Sequence, residues 1–132
     1  KILDGKHILL AEDNDLNAEN ALTILERAGL VVNSVKNGIE CVNKVIENPV
    51  GTYDLILMDI QMPKMDGLEF IKSVRAEDKF KNLPVIALTS LDDEEHRQIA
   101  LAAGFDYYEI KLKEQELMKT VKKILAEARS VM

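Results

Sequence analysis

Apolar residues in this chain come in short continuous runs, and between the runs they recur at helical spacing. The first run, His7-Ile8-Leu9-Leu10-Ala11, lies between Lys6 and the acidic pair Glu12-Asp13 and predicts a buried strand. Asn14 or Asp15 can cap the segment behind it, where Ala18, Ala21, Leu22, Leu25 and Ala28 share a helix face and Gly29 supplies a stop. The pattern then repeats. Val31 to Val35 is rich in β-branched residues; Asn37 with Glu40 three residues on signals a capped helix carrying Ile39, Val42 and Ile46, ended by Pro49 and Gly51. Asp54 to Met58 predicts a third strand and Leu68, Ile71 and Val74 a third helix. Pro84 to Leu88 predicts a fourth strand, with Asp92 and Glu95 capping a helix that bears Ile99, Ala100 and Ala103. Tyr107 to Ile110 predicts a fifth strand, and Leu117, Val121, Ile124, Leu125 and Ala128 line a last helix.

Strict alternation of strand and helix, with strands that are apolar throughout, predicts a single α/β domain: a doubly wound parallel sheet covered on both faces. The domain is expected to take up residues 1–132, with a core from about residue 6 to 130. In such sheets ligands gather beyond the carboxyl ends of the strands. Glu12 and Asp13 lie there after the first strand, Asp59 after the third, Thr89 and Ser90 after the fourth and Lys111 after the fifth.

Asp59 closes the run Leu55-Ile56-Leu57-Met58 and precedes a Pro/Gly turn, Met62-Pro63-Lys64-Met65-Asp66-Gly67. A lone buried carboxylate is costly, so an exposed position at the strand's mouth is expected. Glu12, Asp13 and Asp59 would crowd three like charges around one cation, Lys111. A divalent ion relieves that conflict, and an all-oxygen donor set without a Cys/His cluster suits Mg²⁺ better than zinc. A carboxylate beside Mg²⁺, a Lys and a hydroxyl has the parts for phosphoryl transfer, with Asp59 as nucleophile, Lys111 and the metal neutralising charge, Thr89 donating a hydrogen bond, and Ser90 small enough to leave the approach open.

These residues resemble a known family, the receiver domains of two-component response regulators. The resemblance rests on Ile8-Leu9-Leu10-Ala11-Glu12-Asp13-Asn14, on the segment from Met58 to Gly67, on Ala87-Leu88-Thr89-Ser90 and on Tyr107-Tyr108-Glu109-Ile110-Lys111, four motifs in order over nearly the whole chain. It implies a flavodoxin-like sheet in the order 2-1-3-4-5. It implies that Asp59 accepts a phosphoryl group from a histidine kinase or histidine phosphotransfer protein, and that Asp13, Asp59 and the backbone carbonyl of Gln61 bind Mg²⁺ with Glu12 assisting through water. Such a domain catalyses its own phosphorylation and dephosphorylation and is not a conventional enzyme. Thr89 and Tyr108 look like a switch pair: once the phosphoryl group draws the Thr89 hydroxyl inward, space opens for the Tyr108 ring to turn in, altering the face made by the fourth helix, fifth strand and fifth helix. Gln61 and Leu91 look like the positions that tune phosphoryl lifetime, with an intermediate lifetime expected. The family usually follows its Lys with Pro, and Leu112 stands here; a trans bond is therefore expected, and another path into the last helix. The opening from Leu3 to Leu10, with Asp13-Asn14 and Met58 to Pro63, resembles receivers fused to hybrid histidine kinases, so an excised module is favoured, with a stand-alone regulator the close alternative. Output then passes to a downstream protein or a fused domain.

Composition narrows the partners. The net charge is −6 and the only close basic group is Lys119, Lys122 and Lys123 on a helix surface, so direct nucleic-acid binding is disfavoured. No apolar run approaches the ~20 residues of a membrane span and no signal peptide precedes the first strand. A cytoplasmic domain, or the cytosolic part of a larger kinase, without membrane contact is expected. The lone Cys41 is read as a core or helix-face residue. His7 and His96 lack acidic partners in recognisable motifs and are read as solvated or partly buried. Two enzyme or cofactor alternatives fare worse. A haloacid-dehalogenase-type phosphohydrolase would need an Asp where Gln61 stands, and a flavodoxin-like cofactor binder would need a phosphate cradle where Glu12-Asp13 would repel. A receiver serving only as a docking module is opposed by the complete set of acidic residues, Thr89 and Lys111.

Overall fold

The computed structural model describes residues 4–61, 67–111 and 113–130. Its elements alternate as the pattern requires: β1 (His7–Ala11), α1 (Asp15–Arg27), β2 (Val31–Val35), α2 (Gly38–Glu47), β3 (Leu55–Asp59), α3 (Gly67–Arg75), a 3₁₀ turn (Asp78–Phe80), β4 (Val85–Thr89), α4 (Glu94–Ala103), β5 (Tyr107–Ile110) and α5 (Glu114–Ser130). The strands are parallel and lie in the order β2-β1-β3-β4-β5. The turn residues Met62 to Asp66 and the departure at Leu112 lie outside the described residues.

Period-two alternation sorts the strands onto two cores. Leu9, Ala11, Ile56, Met58, Val85, Ala87 and Tyr108 face Cys41 and Val45 of α2, Phe70, Ile71 and Val74 of α3 and Ala100 of α4. Ile8, Leu10, Leu55, Leu57, Ile86 and Leu88 face Ala18 and Leu25 of α1 and Leu117, Val121, Ile124 and Leu125 of α5. Because both faces are covered, β1, β3 and β4 are apolar nearly throughout, without a polar-out position.

Local signals set most boundaries. Asn14 caps α1 by accepting from Asn17 N at 2.9 Å, and Gly29 just beyond takes φ +94°. Asn37 and Glu40 form a reciprocal cap on α2: Asn37 Oδ1 accepts from Glu40 N at 2.9 Å, and its amide donates to the Glu40 carboxylate at 2.8 Å.

Four details differ from the sequence expectation. β3 and β4 each begin one residue later, at Leu55 and Val85: the Asp54 carboxylate before β3 accepts from His7 N at 2.8 Å and ties down β1, and Pro84 before β4 has no N–H to give a ladder. α4 is capped by Asp93, which accepts from His96 N at 2.8 Å, whereas Asp92 pairs with Lys113. Ile99 on that helix is largely exposed, leaving Ala100 to meet the core. In α2 the inward stripe is Gly38, Cys41 and Val45, while Ile39 and Ile46 are 47% and 42% exposed. Two apolar stripes overlap in that sequence, and contact with the sheet selects the one built from smaller side chains.

Arg75, at the end of α3, closes one end of the fold. Its guanidinium donates to the carbonyls of Phe80, Lys81, Leu83 and Gly104 at 2.7–3.2 Å and to the Asp106 carboxylate at 2.8 Å, which also accepts from Val85 N. Gly104 ends α4 at φ +125°, and a Cβ there would lie 3.2 Å from Arg75 Cγ and from Ile71 Cγ1, so both the backbone angle and the close approach favour glycine.

Candidate functional site

The carboxyl ends of β1, β3, β4 and β5 bring together the residues expected there. Lys111 leaves β5 with its N–H donating to Thr89 O at 2.8 Å. From there its ammonium reaches across the rim, donating to Asp59 Oδ2 at 2.7 Å and pairing with Glu12 Oε1 at 3.1 Å. Asp59 Oδ1 accepts from Gln61 N at 2.8 Å, and Glu12 Oε2 from Asn14 N at 3.1 Å.

Asp59 is therefore not exposed as expected but 1% accessible, and Glu12 is 4% accessible. The expectation treated the carboxylate as unpartnered. A buried carboxylate that meets an ammonium and a backbone N–H no longer carries the full desolvation cost. Asp13, by contrast, is exposed.

One carboxylate oxygen each from Glu12, Asp13 and Asp59 lies within 4.8 Å of the others. Oxygens sharing an octahedral Mg²⁺ shell lie at most about 4.2 Å apart, a separation comparable with this one. Three carboxylates against one ammonium leave two negative charges uncompensated, and Glu12 is in addition buried. Burial, then a hydrogen bond and charge from Asp59, push it up to about 7, against the opposing pull of Asn14 N–H and Lys111. Burial alone would lower Lys111, but the hydrogen bonds and charges of Asp59 and Glu12 outweigh it and its pKa is raised. The donor set and its charge deficit fit a hard divalent cation.

Beside this pocket the loop after β4 is joined to the loop after β3. Gln61 Oε1 accepts from Thr89 Oγ1 at 3.0 Å, Ser90 N at 2.9 Å and Ser90 Oγ at 3.0 Å. Thr89 Oγ1 in turn accepts from Leu91 N at 3.0 Å, and the Tyr108 hydroxyl donates to Leu91 O. Thr89 is fully buried and Tyr108 is 5% accessible. The sequence reading has the Tyr108 ring turn in only after phosphorylation; in this structure it is already inside. Tyr107 points to the opposite core, with Lys123 Nζ 5.4 Å from its ring centroid. Burial raises the Tyr108 pKa, against a hydrogen bond with Thr89.

Sequence reasoning missed the Gln61 carboxamide and both Ser90 donors as joining groups. Their spacing in the chain carries no signal, since Gln61 and Ser90 meet only through the β3–β4 pairing of Asp59 with Leu88. It also left His96 without an acidic partner, whereas His96 Nδ1 lies 2.7 and 2.8 Å from the two Asp93 oxygens; the i, i+3 spacing on a helix start was the available signal. Cys41 is fully buried, and burial raises its thiol. None of the described helices is long and apolar enough to cross a membrane.

A profile of the response regulator receiver domain matches residues 8–122. The chain is 32% identical over 127 residues to the polar-differentiation response regulator DivK of Brucella anthropi, covering 93% of this chain and 98% of that one. It is 41% identical over 100 residues to hybrid signal transduction histidine kinase M of Dictyostelium discoideum, covering 74% of this chain but only 4% of the kinase. Among solved structures it superposes, with TM-score 0.82 and 33% identity, on the receiver domain of a sensor histidine kinase of Pseudomonas aeruginosa PAO1 that carries a magnesium ion coordinated in its active site cleft, covering 92% of this chain and 98% of that one.

Proposed function

We propose, from the premise that this chain belongs to the response regulator receiver domains, that it is a phosphoacceptor module in which Asp59 takes a phosphoryl group and the result is read at the α4–β5–α5 face. The observation that carries this reading is the arrangement of Asp59: a buried carboxylate held by Lys111 and Gln61 N–H, with Glu12 and Asp13 oxygens within 4.8 Å.

Asp13, Asp59 and the Gln61 backbone carbonyl would hold Mg²⁺, with Glu12 acting through water. The ion supplies charge neutralisation on the transferring phosphoryl oxygens. Gln61 N–H and Lys111 fix the Asp59 carboxylate so that one oxygen can attack phosphorus. The new P–O bond makes an acyl phosphate as the P–N bond of a phosphohistidine breaks, and the imidazole leaves with the electron pair. Lys111 and Thr89 then stabilise the transferred oxygens. Thr89 and Tyr108 form the switch pair, joined through the Leu91 backbone, and Gln61 and Leu91 tune phosphoryl lifetime. A Leu91→Asn substitution that leaves dephosphorylation unchanged would remove Leu91 from that role.

The donor is a histidine kinase or histidine phosphotransfer protein, and the reader a downstream protein or a fused domain. Residues 1–132 form one receiver module that works in the cytoplasm. Incubating the protein with a small acyl phosphate tests the reading: wild type gains one phosphoryl group by intact mass only with Mg²⁺, and Asp59→Asn gains none. An equal gain in Asp59→Asn would overturn it.

A further inference from the structure

The Gln61 side chain sits where its backbone role does not require it. Ser90 N–H can only donate, so the Gln61 atom facing it is the carbonyl oxygen. On that oxygen converge the Thr89 hydroxyl and both polar groups of Ser90. The Thr89 hydroxyl is the donor the phosphoryl group would need, and Ser90 N–H points to the same place.

We infer that Gln61 Oε1 is an internal stand-in for a phosphoryl oxygen, holding the Thr89–Leu91 segment, and through it Tyr108, in the inward arrangement before Asp59 is modified. This rests on the phosphoacceptor reading above and adds how the site is regulated. The path is continuous. Gln61 N donates to Asp59, Gln61 Oε1 accepts from Thr89, Thr89 Oγ1 accepts from Leu91 N, and Leu91 O accepts from Tyr108. A phosphoryl oxygen arriving on Asp59 displaces the carboxamide from donors already aimed at it, so the segment need not reorganise. Gln61 acts through Thr89 and Ser90 and is a positioning residue.

Gln61→Met keeps the length of an exposed side chain and removes the acceptor. Amide hydrogen exchange of the full chain, read by NMR without metal or phosphoryl mimic, should then quicken at Ser90 and Leu91 by on the order of three- to tenfold, the loss of one ordinary hydrogen bond. The Tyr108 ring signals should broaden or shift with them. Adding Mg²⁺ and beryllium fluoride should restore slow exchange in Gln61→Met and change those amides little in wild type. Exchange at wild-type rates in Gln61→Met without the mimic would overturn the inference, as would a Tyr108 signal that does not move. If wild type neither binds beryllium fluoride nor gains phosphoryl mass, the phosphoacceptor reading falls, while the metal-free exchange rates still decide the role of Gln61.

Discussion

Asp59 is buried because it is never alone, and the same pairing leaves its neighbourhood short of positive charge. Asp13 is the exposed member of the acidic set, so its removal relieves repulsion at little packing cost. Asp13→Asn should raise the stability of the metal-free protein by about 1 kcal/mol and abolish the stabilisation by Mg²⁺, which at a hundredfold excess over Kd is worth about 2.7 kcal/mol in wild type. Urea titrations with Mg²⁺ and with chelator read both signs. Asp93 gives a pH test. Its carboxyl is held below the usual carboxylate range by the His96 backbone N–H and then by the His96 side chain. A depressed carboxylate contributes stability that is complete above its unfolded value and lost as pH falls through its folded one. Asp93→Asn keeps a capping oxygen, so its deficit in urea midpoint should be present at pH 7 and vanish as pH falls through the lowered folded value.

At the scale of elements, α2 separates pattern from packing. Val45→Ala, facing the sheet, should cost roughly 2 kcal/mol, and Ile46→Ala, though it deletes more carbon, within about 0.5 kcal/mol. Denaturant midpoints of the pair decide which stripe faces in. The helix ends were legible where a single residue type does the work, as at Asn14, Asn37 with Glu40, and Gly29. They were not legible where neighbours compete for one task, as at α4, where Asp93 takes the cap and Asp92 pairs with Lys113, 21 residues on.

Across the whole molecule, Arg75 joins α3, the 3₁₀ turn, the start of β4 and the turn before β5 with one guanidinium. Arg75→Ala strands several carbonyls and a carboxylate and should cost about 3 kcal/mol. Arg75→Lys should recover only a part, since an ammonium cannot match the fork. Thermal unfolding of the two variants checks the order. Nothing around Arg75 in the chain announces this, because its acceptors are backbone carbonyls up to 29 residues away and a carboxylate 31 residues away.

The sequence by itself determined the alternation of elements, the parallel sheet with both faces covered, and the rim on which Glu12, Asp13, Asp59, Thr89 and Lys111 meet, because burial periodicity and strand ends are local properties of the chain. Only the tertiary structure decided that Asp59 is buried, that Gln61 Oε1 gathers Thr89 and Ser90, and that Tyr108 lies inside. Each depends on a partner brought near by strand pairing, and the cost of burying a polar group is set by the partners it finds there.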